Sequence, residues 1–232
     1  MNKIQEQIYD VFKEFDRVCK LIDAEYSLAY GTLLGSIRHK GFIPWDDDID
    51  VIMDRETYDR FMIEAPKHLN PKYFLQNNDT DPYYYFPFAK IRNDDVALRE
   101  NATAHLPINH GVWIDIFPYD KVPEDPSLQR QQYLDVMHFS NRINFFNFMY
   151  VSGHEKLPVR IIKRIIVFFN KKFYKLNFMT RHWYCQREKS MRRYNNTESK
   201  IYGMQAFRNK KYENFLNSFI YENEMYDLTE NE

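Results

Sequence analysis

Gly31-Thr-Leu-Leu-Gly-Ser-Ile-Arg-His-Lys-Gly-Phe-Ile-Pro-Trp-Asp-Asp-Asp-Ile-Asp-Val51 is the stretch on which the reading of this chain turns. It holds three of the six glycines and, between positions 46 and 50, four carboxylates in five residues. Side chains alternate along an extended strand, so Asp46, Asp48 and Asp50 would share one face, while Ile49 and Val51 point into a core. Carboxylates about 4 to 5 Å apart repel by about 1 kcal/mol per pair in water and by more when partly dehydrated, a cost that a divalent cation removes. An Asp-x-Asp at a strand end therefore reads as a site for Mg²⁺ or Mn²⁺. The alternative is a solvated acidic turn whose Asp residues cap nearby helices.

Upstream, Tyr26 to Tyr30 reads as a short strand, and a helix is expected to open at Thr32, whose hydroxyl can cap its first turn. Free N–H groups and the helix dipole at such a turn favour phosphate. Arg38 suits a phosphate through its fork of donors, whereas Lys40 is read as a salt-bridge partner. Residues 3 to 24 carry Ile4, Ile8, Val11, Phe12, Phe15, Val18, Leu21 and Ile22 at helical spacing, an amphipathic helix to lie on a sheet. Downstream, Ile49 to Met53 reads as a strand and Asp54 as the N-cap of a helix over 55–65, with further β-rich runs at 84–92 and 111–117. Asp115 stands amid Trp113, Ile114, Ile116 and Phe117, where a carboxylate is a poor strand residue and needs a partner. A metal shared with Asp48 and Asp50 would be that partner.

From Pro126 the pattern is helical, over 128–148, 158–176 and 181–194. The expected fold is α/β: a mixed sheet with flanking helices in residues 1–124, then a mainly helical lobe in 125–232, with the turn cluster 122–127 between them. At 232 residues, 44% hydrophobic and 28% charged, the chain is globular rather than disordered or fibrous. A net charge of -1 demands no nucleic-acid partner. Cys19 and Cys185 match neither a disulfide framework nor a zinc spacing. No signal-like leader and no membrane-length apolar run is seen, which makes the cytoplasm the expected compartment. Residues 156–187 hold nine Lys or Arg and no Asp or Glu, interleaved with Ile, Phe and Trp. Such a helix can lie on an anionic leaflet as a peripheral contact, or its apolar face can complete the core of the second lobe.

The quoted stretch resembles the signature of the LicD (lipopolysaccharide cholinephosphotransferase) family, which includes the fukutin-related proteins. The likeness extends to the helix bearing Cys19, to Phe88-Ala-Lys-Ile-Arg and to Ile114-Asp-Ile-Phe-Pro, so it covers roughly residues 5 to 120. It implies a nucleotidyltransferase-type fold, with Gly31 and Thr32 as the turn, Asp48 and Asp50 as the metal pair, Asp115 as the third acid and Asp46 as an additional or outer ligand. It also implies Mg²⁺-dependent transfer of a phosphorylated alcohol, typically phosphocholine, from a CDP-linked donor such as CDP-choline to a hydroxyl of a cell-surface glycan, with release of CMP. Lipopolysaccharide, teichoic acid and lipid-linked glycans are acceptors of this kind. Asp115 would also take the hydroxyl's proton. Lys90, which matches a family position, and Arg92 could hold phosphate oxygens, or protect a strand edge with charge. Tyr83, Tyr84, Tyr85 and Phe86 could stack cytosine or surround a quaternary ammonium, with core packing as the other reading. The acidic closing segment 221–232 departs from the family pattern, and the absence of a cysteine-based zinc element points to the bacterial type. Choline, ethanolamine, glycerol and ribitol all stay open as head groups. Transfer of the NMP itself with release of pyrophosphate, or a non-catalytic glycan-assembly subunit, are the alternative functions.

Overall fold

The computed structural model of the protein describes residues 1–101, 103–147, 156–173, 178–204 and 221–222. The ends of the expected helices at 148 and at 174–176, and most of the closing segment, lie outside the described residues.

Helix α1 (Lys3–Ile22) opens on a capping box: the Asn2 side chain accepts from the Ile4 and Gln5 amides, and the Gln5 side chain accepts from the Asn2 amide. It ends at Asp23, whose left-handed backbone turns the chain, rather than at residue 24. Ile8, Val11, Phe15, Val18 and Cys19 are buried, whereas Ile4 and Leu21, on the margins of the apolar stripe, are exposed. After the two-residue strand β1 (Ser27–Leu28) comes α2 (Tyr30–His39), which begins two residues earlier than expected. Strand β2 (Asp50–Asp54) starts only at the last of the clustered acids. It feeds α3 (Arg55–Glu64), capped as anticipated by the Asp54 carboxylate, which accepts from the Glu56 and Thr57 amides.

Three longer-range strands complete the sheet: β3 (Tyr73–Gln76), β4 (Ala89–Ala97) and β5 (Gly111–Val122). The order is β1-β2-β5-β4-β3, with β2 parallel to β5 and the other neighbours antiparallel. The expected mixed sheet is present. Strand β5 runs on through Pro118, five residues beyond its expected end at Phe117. The pairing with β4 stops at Ile116, and that with β6 (Ile201–Gly203) starts at Asp120. Pro118 thus sits where β5 has a neighbour on one side only, a place where a missing N–H is tolerated.

One sheet face buries Val51, Met53, Ile91, Ile114 and Ile116 against α1 and α3, with Phe15 and Phe61 at the centre. Helices α4 (Pro126–Asn147), α5 (Leu157–Phe173) and α6 (Phe178–Met191) follow, and β6 brings the chain back to β5 and pairs with β7 (Tyr221–Glu222). Among the described residues after 124, the three helices are thus accompanied by the short strands β6 and β7. Helix α6 is joined to the core by buried polar contacts. Arg187 donates to the Tyr85 carbonyl, Gln132 of α4 donates to the Ser190 and Met191 carbonyls at the end of α6, and Arg55 pairs with both Asp120 and Glu188.

Candidate active site

Opposed residues in neighbouring strands point to the same face. The observed register puts Asp50 opposite Asp115, Asp115 opposite Lys90, and Lys90 opposite Gln76, one polar row crossing four strands. It lies on the face opposite α1 and α3. Two of the expected acids are thus brought together by backbone pairing alone. The Asp115 amide donates to the Ile49 carbonyl, so the segment just before Asp50 is also held against β5.

The turn into α2 is fastened to the same place. The Ala29 amide donates to the Asp50 carbonyl, and the Asp50 amide donates to the Thr32 hydroxyl at 2.9 Å. Thr32 does not cap the helix, whose N-cap is Ala29; its oxygen instead ties the first turn to the acid-bearing strand. Tyr30 enters this turn with φ 47°, a backbone conformation costly for a bulky residue, and its ring meets Phe117 edge-on. Gly31 faces Asp46, and a Cβ there would lie 2.7 Å from the Asp46 carboxylate. Gln5 donates to the carbonyls of Asp46 and Ile43, so the capping residue of α1 also clamps the acidic loop.

The acids crowd one another. Burial, then the charges of Asp46, Asp115 and Asp47, push the Asp48 carboxyl up to about 6. Burial, then Asp48, Asp115 and Asp46, push Asp50 up to about 8 against the opposing pull of Lys90. Asp115 is also raised by burial, with Lys90 again opposing. Lys90 Nζ stands 3.0 Å from Asp115 Oδ1 and 4.1 Å from the Trp113 ring centre. That contact is an ion pair without hydrogen-bond geometry, so Asp115 Oδ1 is a buried oxygen that accepts no hydrogen bond. An oxygen-only donor set with a buried carboxylate oxygen held by an ammonium ion pair alone suits a hard divalent cation. Among the described residues, no three His, Cys, Asp or Glu side chains are already drawn up as a metal site. The fit is one of donor chemistry and backbone placement.

Other expected site residues are placed differently. Arg92 is fully buried inside the sheet, its guanidinium taken up by Gln76 (2.6 Å), the Gly111 carbonyl (2.7 Å) and Glu100 (3.4 Å). Glu100 reaches Lys90 as well. Arg38 is exposed in the last turn of α2, about 9 Å along the axis from Thr32. Tyr84 is buried with Leu106 and Ile108, and Tyr83 and Phe86 pack on that small cluster. Gln5, Gln76 and Glu100 belong to the site's framework and went unrecognised in the sequence. Gln5 alone left a local signal, lying three residues after an N-capping Asn.

The family profile described as LicD/FKTN/FKRP, nucleotidyltransferase domain, matches residues 23–146, more than half of the chain and the whole of this arrangement from β1 to β5. The chain belongs to the LicD family. The lipopolysaccharide cholinephosphotransferase LicD of Haemophilus influenzae is 37% identical over 120 residues, which cover 51% of this chain and 44% of that protein. An uncharacterized protein of Rickettsia typhi is 31% identical over 71 residues, 31% of this chain and 23% of that one. One from Rickettsia prowazekii is 39% identical over 44 residues, 19% of this chain and 16% of its own length. The chain spans less than half the length of the curated relatives it matches. In this LicD-family chain the matched residues contain all four clustered acids, Asp115 and Lys90.

Proposed function

We propose that this protein transfers a phosphorylated alcohol, of the phosphocholine type, from a CDP-linked donor to a hydroxyl of a cell-surface glycan such as lipopolysaccharide, releasing CMP. The observation that carries this reading is the pairing of Asp50 with Asp115, and of Asp115 with Lys90, in a chain 37% identical over 120 residues to a lipopolysaccharide cholinephosphotransferase.

Asp48, Asp50 and Asp115 would hold Mg²⁺ or Mn²⁺, with Asp46 as a further or outer ligand. Such an ion, when bound, neutralises diphosphate charge and the charge developing on the leaving CMP. The protein's own part is positioning and electrostatics, the main demands of phosphoryl transfer. Thr32 and the first-turn amides of α2 place the donor's phosphates over the acid row. Lys90, held by Asp115 and by the Trp113 face, sets a positive charge at the centre of that row. Arg38 extends cationic contact toward the donor from the end of α2. Arg92 is a positioning residue, fixing Glu100 and Gln76 around Lys90. Asp115 accepts the acceptor hydroxyl's proton as the new O–P bond forms and the bond to CMP breaks.

The test is CMP release from CDP-choline with Mg²⁺ and a crude glycan acceptor, in wild type and in Asp48→Ala and Asp50→Ala. Acceptor-dependent CMP release, lost in both variants, is the expected result. Pyrophosphate as product would assign NMP transfer instead, and Mg²⁺-dependent donor binding without turnover would assign a non-catalytic role.

A further inference from the structure

The second half of the chain carries a surface that the transfer reaction does not use. Every described side chain of α5 is exposed or partly exposed. Ile161, Ile162, Ile165 and Phe168 are between 49% and 60% exposed, so this apolar face does not complete the lobe's core. At 100° per residue these four fall within an arc of about 120°, with Arg164 about 40° beyond one edge and Arg160 and Lys163 farther round on the opposite side of the helix. Large apolar side chains grouped this way on a surface mark an interaction site. Within α5 the charge has one sign: the sequence carries Arg160, Lys163, Arg164, Lys171 and Lys172 there, and no Asp or Glu. No helix among the described residues is long and apolar enough to cross a membrane.

We propose that α5 seats the protein on an anionic lipid bilayer, lying in the headgroup plane with Ile161, Ile162, Ile165 and Phe168 turned into the acyl boundary. Charge complementarity selects this occupant, because a helix that joins an apolar arc to cations with no acid among them matches an anionic leaflet. Nucleic acid would meet the cations but leave the apolar arc unmatched. The proposal is independent of the transfer reaction.

The test is co-sedimentation of the full chain with phosphatidylcholine vesicles, with and without about one part in three phosphatidylglycerol. Wild type is expected to bind the anionic vesicles at least tenfold better than the neutral ones. Lys156→Gln/Arg164→Gln should lose about fivefold per charge removed, and Ile165→Ser/Phe168→Ser at least tenfold, both with unchanged thermal midpoints. Equal binding to both vesicle types, or full binding by the Ser variant, would overturn the proposal. So would a fall in the Ser variant's midpoint, which would mean the face is packed inside the fold. A vesicle-free dimer that the Ser variant converts to monomer would assign the face to a second copy of the chain.

Discussion

The Arg55–Asp120 pair links the first residue of α3, β5 and α6, and its removal should be the most damaging single change outside the hydrophobic core. Arg55 Nε and Nη2 donate to the two Asp120 oxygens at 2.8 and 2.6 Å, a bidentate geometry, with the side chains 8% and 1% exposed. Asp120 Oδ1 also accepts from Asn195 at 2.7 Å, while Glu188 stands 3.4 Å from Arg55. Arg55→Leu would leave Asp120 as a buried carboxylate with a single amide donor. Glu188 would keep only its longer contact with Arg192. Breaking a buried pair by removing one partner costs about 3 to 5 kcal/mol. For a chain of this size that corresponds to a thermal midpoint lower by about 6 to 20 °C. In Arg55→Leu/Asp120→Leu no charge is stranded, and most of the loss should be recovered. Urea unfolding of wild type, both single variants and the double variant closes a double-mutant cycle. A loss below about 1 kcal/mol in Arg55→Leu, or single losses that simply add in the double variant, would refute the argument that the pair acts as one buried unit.

A Cβ at Gly35 would meet the Gly41 carbonyl at 2.6 Å and the Ile43 amide at 3.1 Å, both backbone atoms. Gly35→Ala should therefore cost about 1 to 3 kcal/mol in urea unfolding and shift the acidic loop, with CMP release falling at least tenfold. Gly31→Ala meets only the tip of the Asp46 side chain, so it should stay within about 1 kcal/mol of wild type in the same unfolding assay while still slowing turnover. Because Asp48 and Asp50 titrate in the folded protein near 6 and 8, above the unfolded value of about 3.9, the folded state binds the extra protons, and their contribution to stability is lost as pH rises from about 4 to 8. Melting in EDTA should show this fall between pH 6 and 8, Asp50→Asn should flatten it, and Mg²⁺ should raise the midpoint more at pH 8 than at pH 6; a slope unchanged by Asp50→Asn would count against it. Cys185 is exposed, whereas Cys19 is buried and its thiol pushed up by that burial, so a thiol reagent should titrate one cysteine per native chain and two in denaturant.

Elements with strong local signals were legible in the sequence. The apolar stripe of α1, the Asp54 cap of α3 and the period-two alternation from Ile49 to Met53 each announce themselves within a few residues. So does the conflict of an Asp inside Val-Trp-Ile-Asp-Ile-Phe. Strand β3 was missed because four residues, Tyr73–Gln76, exist as a strand only through pairing with β4. The start of α2 was misplaced because Tyr30 takes a left-handed conformation that its residue type disfavours, so the turn is imposed by its surroundings. Thr32 was read as a cap for the same reason: its true partner, the Asp50 amide, lies eighteen residues away.

Lys90 and Arg92 show where local reading stops. Both are cations, two positions apart on one face of one strand, and residue type treats them alike. Register separates them. Lys90 lies opposite Asp115 on one side and Gln76 on the other, which places its ammonium in the acid row. Arg92 lies opposite Trp113 and Phe74, and Gln76, Gly111 and Glu100 take up its donors. Glu100 binds both cations, so the two are not independent. Arg92→Lys would keep the charge but lose the fork that reaches Gln76 and Gly111 together. Its effect on transfer would arrive through a displaced Lys90, which the polar row makes a question of strand register rather than of any single residue.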